Sequence, residues 1–533
     1  MSLADLTFFT SNQTKLAHAR YLGRHRGFRI LGFRERTYYA GYDEPRTDDR
    51  KVLLESSFTS ALDQANRAKI LHDDTVFFLE DTSVKIDVLS SKGEYPGTEV
   101  KYWMRSTSFE ELDSLLKANG NNRACHVRSD IVMRLPKALQ DQLKTEKRHI
   151  VFTGVQKGSV AIAEQIYETH LFYPWLDNQT FNKWFVPSGE SQVLGSLPIE
   201  IADKYDFRAN AMDKMFTYLE TTPYGPIKKK IQGHLPLESV VSLSGYTCAG
   251  KTTGAQIVQD DYGYLHVEAS DFMHLAYAER HGENTAIRIG DFAEVALKHE
   301  PNVVARQVAE YLDSLGWPEN IIISGFRDLE EIEYLKSHKS GRFSGLSSIF
   351  VDASGDLRFS RMKARMRPGD TISKAEFERR DSQQQRMGLD EIRKVSESIS
   401  NEKTLKQYRA KLATHVSQRQ PNLKAAVFGE YLHVTDLDLE PCIILALQSL
   451  PQKDETGEYY TTTAIARLIK TVFPNLIRAK HKNNISRYFN QYNRPYYDRK
   501  IDHDGKKKSY RLSNTGFGYA VYLMRELQEA KRI

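Results

Sequence analysis

The 533-residue chain has only three cysteines, Cys125, Cys248 and Cys442, odd in number and far apart. That excludes a disulfide framework and offers no metal-ligand spacing, so a reducing compartment is the simplest home. No apolar run approaches the roughly 20 residues that would span a bilayer. The start, Met1-Ser2-Leu3-Ala4-Asp5-Leu6, lacks a basic region followed by an apolar one, and the expectation is a cytoplasmic protein without membrane contact. There is no internal repeat and no low-complexity linker. Proline is sparse, with 17 in all, and the stretches at 221–226, with Pro223 and Pro226, and at 420–422, with Pro421, mark the expected joins between domains.

What is present is ordinary globular composition, 40% apolar and 27% charged, at a length that implies about three domains. The net charge of +6 is unevenly placed. Between Tyr460 and Arg511 stand thirteen Lys or Arg against three Asp, a local excess of +10 that leaves −4 for the remainder. The basic character belongs to one C-terminal module.

The most informative stretch is central. Val240-Val241-Ser242-Leu243-Ser244 is an apolar strand, followed by Gly245-Tyr246-Thr247-Cys248-Ala249-Gly250-Lys251-Thr252-Thr253 and then a helical pattern. A phosphate chain needs a tight turn that aims several N–H groups inward, which favours Gly245 and Gly250 at its ends. Lys251 would reach the terminal phosphates, the Thr252 hydroxyl would hold Mg²⁺, and Thr253 stands beside them in the first turn of the helix.

Near the start, Leu6-Thr7-Phe8-Phe9 runs into Thr10-Ser11-Asn12 with Lys15 following, a second strand end suited to phosphate. Farther on, Thr75–Leu79 leads to the paired acids Glu80-Asp81, and Tyr95-Pro96-Gly97, Ile150–Gly154 and Phe181–Pro187 follow. Over about 215 residues this order resembles the Ham1 family, the inosine triphosphate pyrophosphatases that cleave deaminated purine triphosphates with Mg²⁺. The resemblance implies a Ham1-like α/β domain over 1–225 in which Thr10, Asn12, Lys15 and Arg208 bind nucleotide, Glu80 and Asp81 hold metal, and Asp81 activates water. It also departs from the family. His18 stands where the family has glutamate, and the base-recognising segment has become Phe181-Asn182-Lys183-Trp184-Phe185.

After the central turn, strands ending in Asp271, in Ser324-Gly325 and in Asp352 precede a helix carrying Arg361 and Arg365 on one face. This order resembles the small P-loop kinases, the group with nucleoside monophosphate kinases and dephospho-CoA kinase. It implies a parallel sheet with helices on both faces over 230–425 and ATP as donor or ligand. In that reading Asp271 orients acceptor or metal, and Arg361 and Arg365 close over the transferring phosphate. Over 428–533, three helical stretches and a basic hairpin resemble a winged helix. Lys482, Asn483, Asn484 and Arg487 would then face DNA bases and Lys506, Lys507 and Lys508 its phosphates, with protein docking the equal alternative.

The expected fold class is therefore α/β multidomain. Three functions are open at this stage. One is a sensor of an unusual purine nucleotide that controls an effector protein, as would suit antiviral defence. The second is a bifunctional pyrophosphatase and nucleotide kinase, and the third a nucleotide-responsive DNA-binding regulator. The Ham1 resemblance further implies a homodimer.

Overall fold

The apolar runs fold as the sequence pattern requires, into two buried sheets. The computed structural model describes residues 4–36, 43, 45–91, 93–226, 239–282, 286–316, 318–365, 373–416, 431, 434–450, 459–476, 482–489, 495–501 and 508–530. These fall into two compact units, Met1–Lys230 with Glu279–Glu283, and Ile231–Ala278 with Asn284–Ile533. The second unit takes in both the expected kinase-like segment and the basic module.

The first unit is built on strands β1 (Ala4–Phe8), β2 (Phe28–Gly32), β3 (Phe77–Ile86), β4 (Pro96–Gly97), β5 (Ala124–Arg134), β6 (His149–Val160) and β7 (Phe185–Pro187). Their order is β2-β1-β3-β5-β6-β7, with β4 on β3. Strand β1 runs parallel to β2 and β3, and the remaining pairs are antiparallel. The parallel β1–β2 pair needs a crossover, supplied by helix α1 (Gln13–His25). Alternation along β3 divides its side chains between two cores. Phe78 packs with Leu6, Leu16 and, from helix α2 (Phe207–Glu220), Met212 and Met215. Phe77 and Leu79 pack on the other face with Phe9, Phe33 and Phe58. The same alternation sends Glu80 to the α1–α2 face and Asp81 to the opposite one.

The second unit contains a fully parallel sheet of β8 (Ser239–Ser244), β9 (Leu265–Glu268), β10 (Asn320–Ser324), β11 (Ser347–Asp352) and β12 (Glu397–Ser400), in the order β12-β11-β8-β10-β9. Continuous runs such as Val240-Val241 and Ile321-Ile322-Ile323 are buried, as strands covered on both faces must be. Helix α3 (Lys251–Tyr262) follows β8 and α4 (Ala269–His281) follows β9, and the further helices of this segment include α5 (Gly355–Arg365), α6 (Lys374–Arg386) and α7 (Leu405–Leu412). Central β8 has β11 on one side and β10 on the other, so the loop at its carboxyl end opens where ligands of such sheets bind.

The basic module contributes helices α8 (Leu439–Gln448), α9 (Thr462–Val472) and α10 (Lys482–Phe489), with β13 (Tyr460–Thr461), β14 (Tyr497–Ile501) and β15 (Lys508–Leu512) in an antiparallel sheet ordered β13-β15-β14. On α10, Asn484 and Arg487 are exposed. Lys506 and Lys507, the side chains of Lys482 and Asn483, and the expected join at 420–422 lie outside the described residues. A last helix, α11 (Asn514–Glu529), packs against edge strand β9, which an open sheet leaves exposed for pairing. The approach is close enough that a Cβ at Gly518 would collide with the carbonyl of His266. Arg525 NH2 donates to the Gln259 carbonyl at 2.9 Å along the same interface.

Because that collision involves backbone rather than a pliable side chain, Gly518→Val should destabilise the second unit by about 2 kcal/mol. Chemical denaturation of the full chain, followed by a probe in this unit, would show a lowered midpoint; an unchanged midpoint would mean α11 can withdraw at no cost.

Candidate functional site

In the first unit, α1 begins where Asn12 can cap it. Asn12 Oδ1 accepts from Thr14 N at 2.9 Å and Lys15 N at 3.1 Å, and Thr10 Oγ1 accepts from Asn12 N at 3.1 Å. The capping carbonyl of Asn12 thus serves the helix in this arrangement. Lys15 reaches across to β3, with Nζ 2.9 Å from Glu80 Oε2 and donating to the Glu80 carbonyl at 3.2 Å. From α2, Arg208 Nε lies 3.3 Å from Glu80 Oε1, which also accepts from Thr82 at 2.7 Å and Ser129 at 2.8 Å. Burial alone would raise the pKa of Glu80, but the charges of Arg208 and Lys15 outweigh it and hold the carboxyl well below its usual range.

His18, the departure from the family pattern, joins this cluster. Arg208 can only donate, so His18 Nδ1 accepts from its NH1 at 3.0 Å, and Nε2 carries the proton toward Asp206 Oδ2 at 2.5 Å. The His18 ring stacks on Trp175 with centroids 4.6 Å apart. Lys15, Glu80 and Arg208 are therefore brought together as expected, whereas Asp81 falls on the other face of β3, beside the strand-opposed Asp130. Adjacent residues of a strand cannot share a face. The residues missed by sequence reading are Asp206 and Ser129; only the β3–β5 register, invisible in one sequence, brings Ser129 to Glu80.

In the second unit, the loop 245–250 bounds a cavity of about 1000 Å³. Gly245 and Gly250 both take positive φ, +148° and +109°. The loop's carbonyls are held by side chains around it, most of which line the cavity themselves. Lys251 Nζ donates to those of Gly245 at 2.7 Å and Tyr246 at 3.0 Å, Arg361 NH1 to that of Ala249 at 3.3 Å, Asn401 Nδ2 also to Ala249 at 2.8 Å, and Tyr408 to Gly250 at 3.1 Å. Of the loop amides, Thr247 N donates to Gln384 Oε1 at 3.1 Å and Ala249 N to the Tyr246 carbonyl at 3.1 Å, while the first amides of α3 lack intrahelical acceptors, as at any helix start. Burial pushes the Lys251 ammonium down to about 8, the nearby Glu268 carboxylate only partly opposing it.

At the end of β9, Glu268 is buried and its Oε2 accepts from Thr252 Oγ1 at 3.0 Å and Ser324 Oγ at 2.9 Å. Ser324 has a single hydroxyl proton, given to Glu268, so His266 Nε2 donates to Ser324 across 2.7 Å. The cavity wall carries Arg361 and Arg365, as the helical spacing implied, with Arg288, Arg327, Arg379 and Arg380 in addition. Asp271 does not line it. Its half-buried carboxyl group accepts from Thr515 N at 2.8 Å, and desolvation, with Glu268 and Asp498 nearby, raises its pKa well above the ordinary value. The acid at the phosphate loop is Glu268, three residues earlier; the signal was available, because the strand ends at Glu268 and Asp271 lies within the next helix.

Among the described residues, no group of three or more His, Cys, Asp or Glu could hold a metal, and no helix is long and apolar enough to cross a membrane.

The Ham1 family model matches residues 6–218. The solved Ham1 protein of Staphylococcus aureus is 18% identical, the likeness covering 41% of this chain and 98% of that one with a TM-score of 0.29. For a sugar kinase from a Janibacter species the figures are 20% identity, 34% and 94% coverage, and a TM-score of 0.24. A UPF0200 protein from Pyrobaculum aerophilum is 32% identical over 154 residues, which are 29% of this chain and 82% of that protein. Residues 6–218 are thus Ham1-like, and with 82% of a 32%-identical relative matched, the chain belongs to the UPF0200 family.

Proposed function

We propose that the second unit binds ATP with Mg²⁺ in the 245–253 loop and transfers its γ-phosphoryl group to an anionic acceptor. The observation that carries this reading is the convergence of Lys251, Thr252 and Glu268 on one cavity beside the loop. The residues fit Mg²⁺. It favours oxygen ligands and keeps several waters, and it is commonly held by one or two protein oxygens plus substrate phosphates rather than by a protein cage. Thr252 would supply its hydroxyl and Glu268 would orient water on the metal. Bound there, Mg²⁺ neutralises charge on the β- and γ-phosphates.

The protein's own contribution is positioning and fixed charge. Loop amides cradle the phosphates, and Lys251 exchanges its contacts to the Gly245 and Tyr246 carbonyls for phosphate oxygens. Arg361 and Arg365 stabilise the charge of the migrating group. The remaining arginines, Arg288, Arg327, Arg379 and Arg380, give the acceptor's binding region a cationic lining, which selects an acceptor carrying phosphate or carboxylate.

For the Ham1-like unit, the reading favoured by the geometry is a receptor for a purine triphosphate that releases little pyrophosphate. Glu80 is neutralised by two cations, and Asp81 faces away from them. The bifunctional reading requires both acids at one metal.

Two outcomes test these readings. A triphosphate raises the pKa of a lysine beside it, so with the free value near 8, ATP binding between pH 8 and 9 should take up a proton and affinity should fall as pH rises, by at most tenfold per unit. Calorimetry in buffers of different ionisation enthalpy would register the uptake, and Lys251→Met should abolish both it and most of the affinity. Retained tight binding in that variant would sink the phosphate-loop reading. For the first unit, Lys251→Met protein with Mg²⁺ and inosine or xanthosine triphosphate should bind without appreciable pyrophosphate release; rapid release would make this unit a hydrolase.

A further inference from the structure

The metal-side acid of the cavity is not held by the parallel sheet alone. Glu268 is the last residue of an edge strand, and an edge strand has a neighbour on one side only. Toward β10 its side chain is fixed by Ser324. On the open side its backbone is fixed by the C-terminal helix. Glu268 N donates to Thr515 Oγ1 at 3.0 Å, and the same hydroxyl lies 3.5 Å from the Glu268 carbonyl. The Thr515 amide in turn donates to Asp271 at 2.8 Å, so one residue of α11 ties both ends of the turn from β9 into α4.

Three further features make this a built junction. Thr515 is fully buried. Gly516 and Gly518 admit the backbones of Tyr496 and of His266, the latter on β9 two residues before Glu268, where any Cβ would collide. Asn514, the residue before Thr515, lines the cavity itself. A module 240 residues away in sequence therefore reaches the wall of the phosphate-loop cavity and its acidic residue.

From this geometry we propose that Thr515 is a positioning residue for the phosphoryl-transfer site: the C-terminal module sets the backbone of Glu268 and thereby the affinity of the site for its divalent cation. The inference rests on the nucleotide reading given above. Without the Thr515 hydroxyl, a buried amide loses its acceptor and the strand end is free to move, taking the carboxylate away from Thr252. The loop that would hold the phosphates is anchored elsewhere, by Arg361 and Asn401 on the Ala249 carbonyl and Tyr408 on that of Gly250, and Lys251 is held by the Gly245 and Tyr246 carbonyls. Metal affinity and nucleotide affinity should therefore separate.

The test uses the full chain and a fluorescent ATP analogue, with Mg²⁺ titrated at fixed nucleotide. Thr515→Val keeps the side-chain shape and deletes the hydroxyl; it should raise the Mg²⁺ concentration for half-maximal binding about tenfold, leave metal-free nucleotide affinity within twofold, and be rescued by Thr515→Ser. A folded Thr515→Val protein with wild-type Mg²⁺ dependence overturns the proposal, as does an equal loss of metal-free affinity. Should that variant fail to fold, hydrogen exchange on the wild-type protein decides. Magnesium with the analogue should slow exchange in 514–520 beyond the analogue alone, and identical exchange with and without metal overturns the proposal. Wild-type protein that binds no nucleotide with Mg²⁺ overturns the nucleotide reading itself, and this inference with it.

Discussion

The second unit depends on one constraint: a buried acidic side chain, Glu268, must be held in place at the end of a sheet edge. Such a group is costly to bury unless each oxygen finds donors. Thr252 and Ser324 supply them to one oxygen, and His266 orients Ser324 from behind. Much of the surrounding sequence follows from this requirement. Gly325 is glycine because a Cβ there would strike the other carboxylate oxygen, and α11 is docked through glycines so that Thr515 can reach the strand end.

The same requirement is met in the opposite way in the first unit. Glu80 is equally buried, but its donors are two cations and two hydroxyls. A carboxylate in that setting has its charge matched within the protein. Glu268 has only hydroxyls in direct hydrogen-bond contact, with the cations Lys251 and Arg327 nearby rather than paired to it. The two acids thus separate by environment, one at the wall of the phosphate-loop cavity and the other paired to two cations inside the first unit.

Strand, loop and helix at 240–262 were legible in the sequence because each step is local: an apolar run, glycines where φ must be positive, and a lysine at the first position of the helix. So was the gathering of Lys15, Glu80 and Arg208 in one place, carried by the Ham1 resemblance. What could not be read was register and face. Glu80 and Asp81 are adjacent in sequence and opposed in space, and the choice between them depends on which core takes Phe78. Asp271 was preferred to Glu268 because the strand end was placed three residues late. The tie from Thr515 to Glu268 spans 247 residues, and no local pattern announces a contact of that separation.

The most direct test of the account is a crystal structure of the full chain with a non-hydrolysable ATP analogue and Mg²⁺. The account predicts β- and γ-phosphates cradled by residues 245–253, Lys251 turned from the loop carbonyls onto them, and the metal bound to the Thr252 hydroxyl with Glu268 beside its waters. An analogue bound away from this loop, or Lys251 still bonded to Gly245 and Tyr246 with the analogue in the cavity, would contradict it.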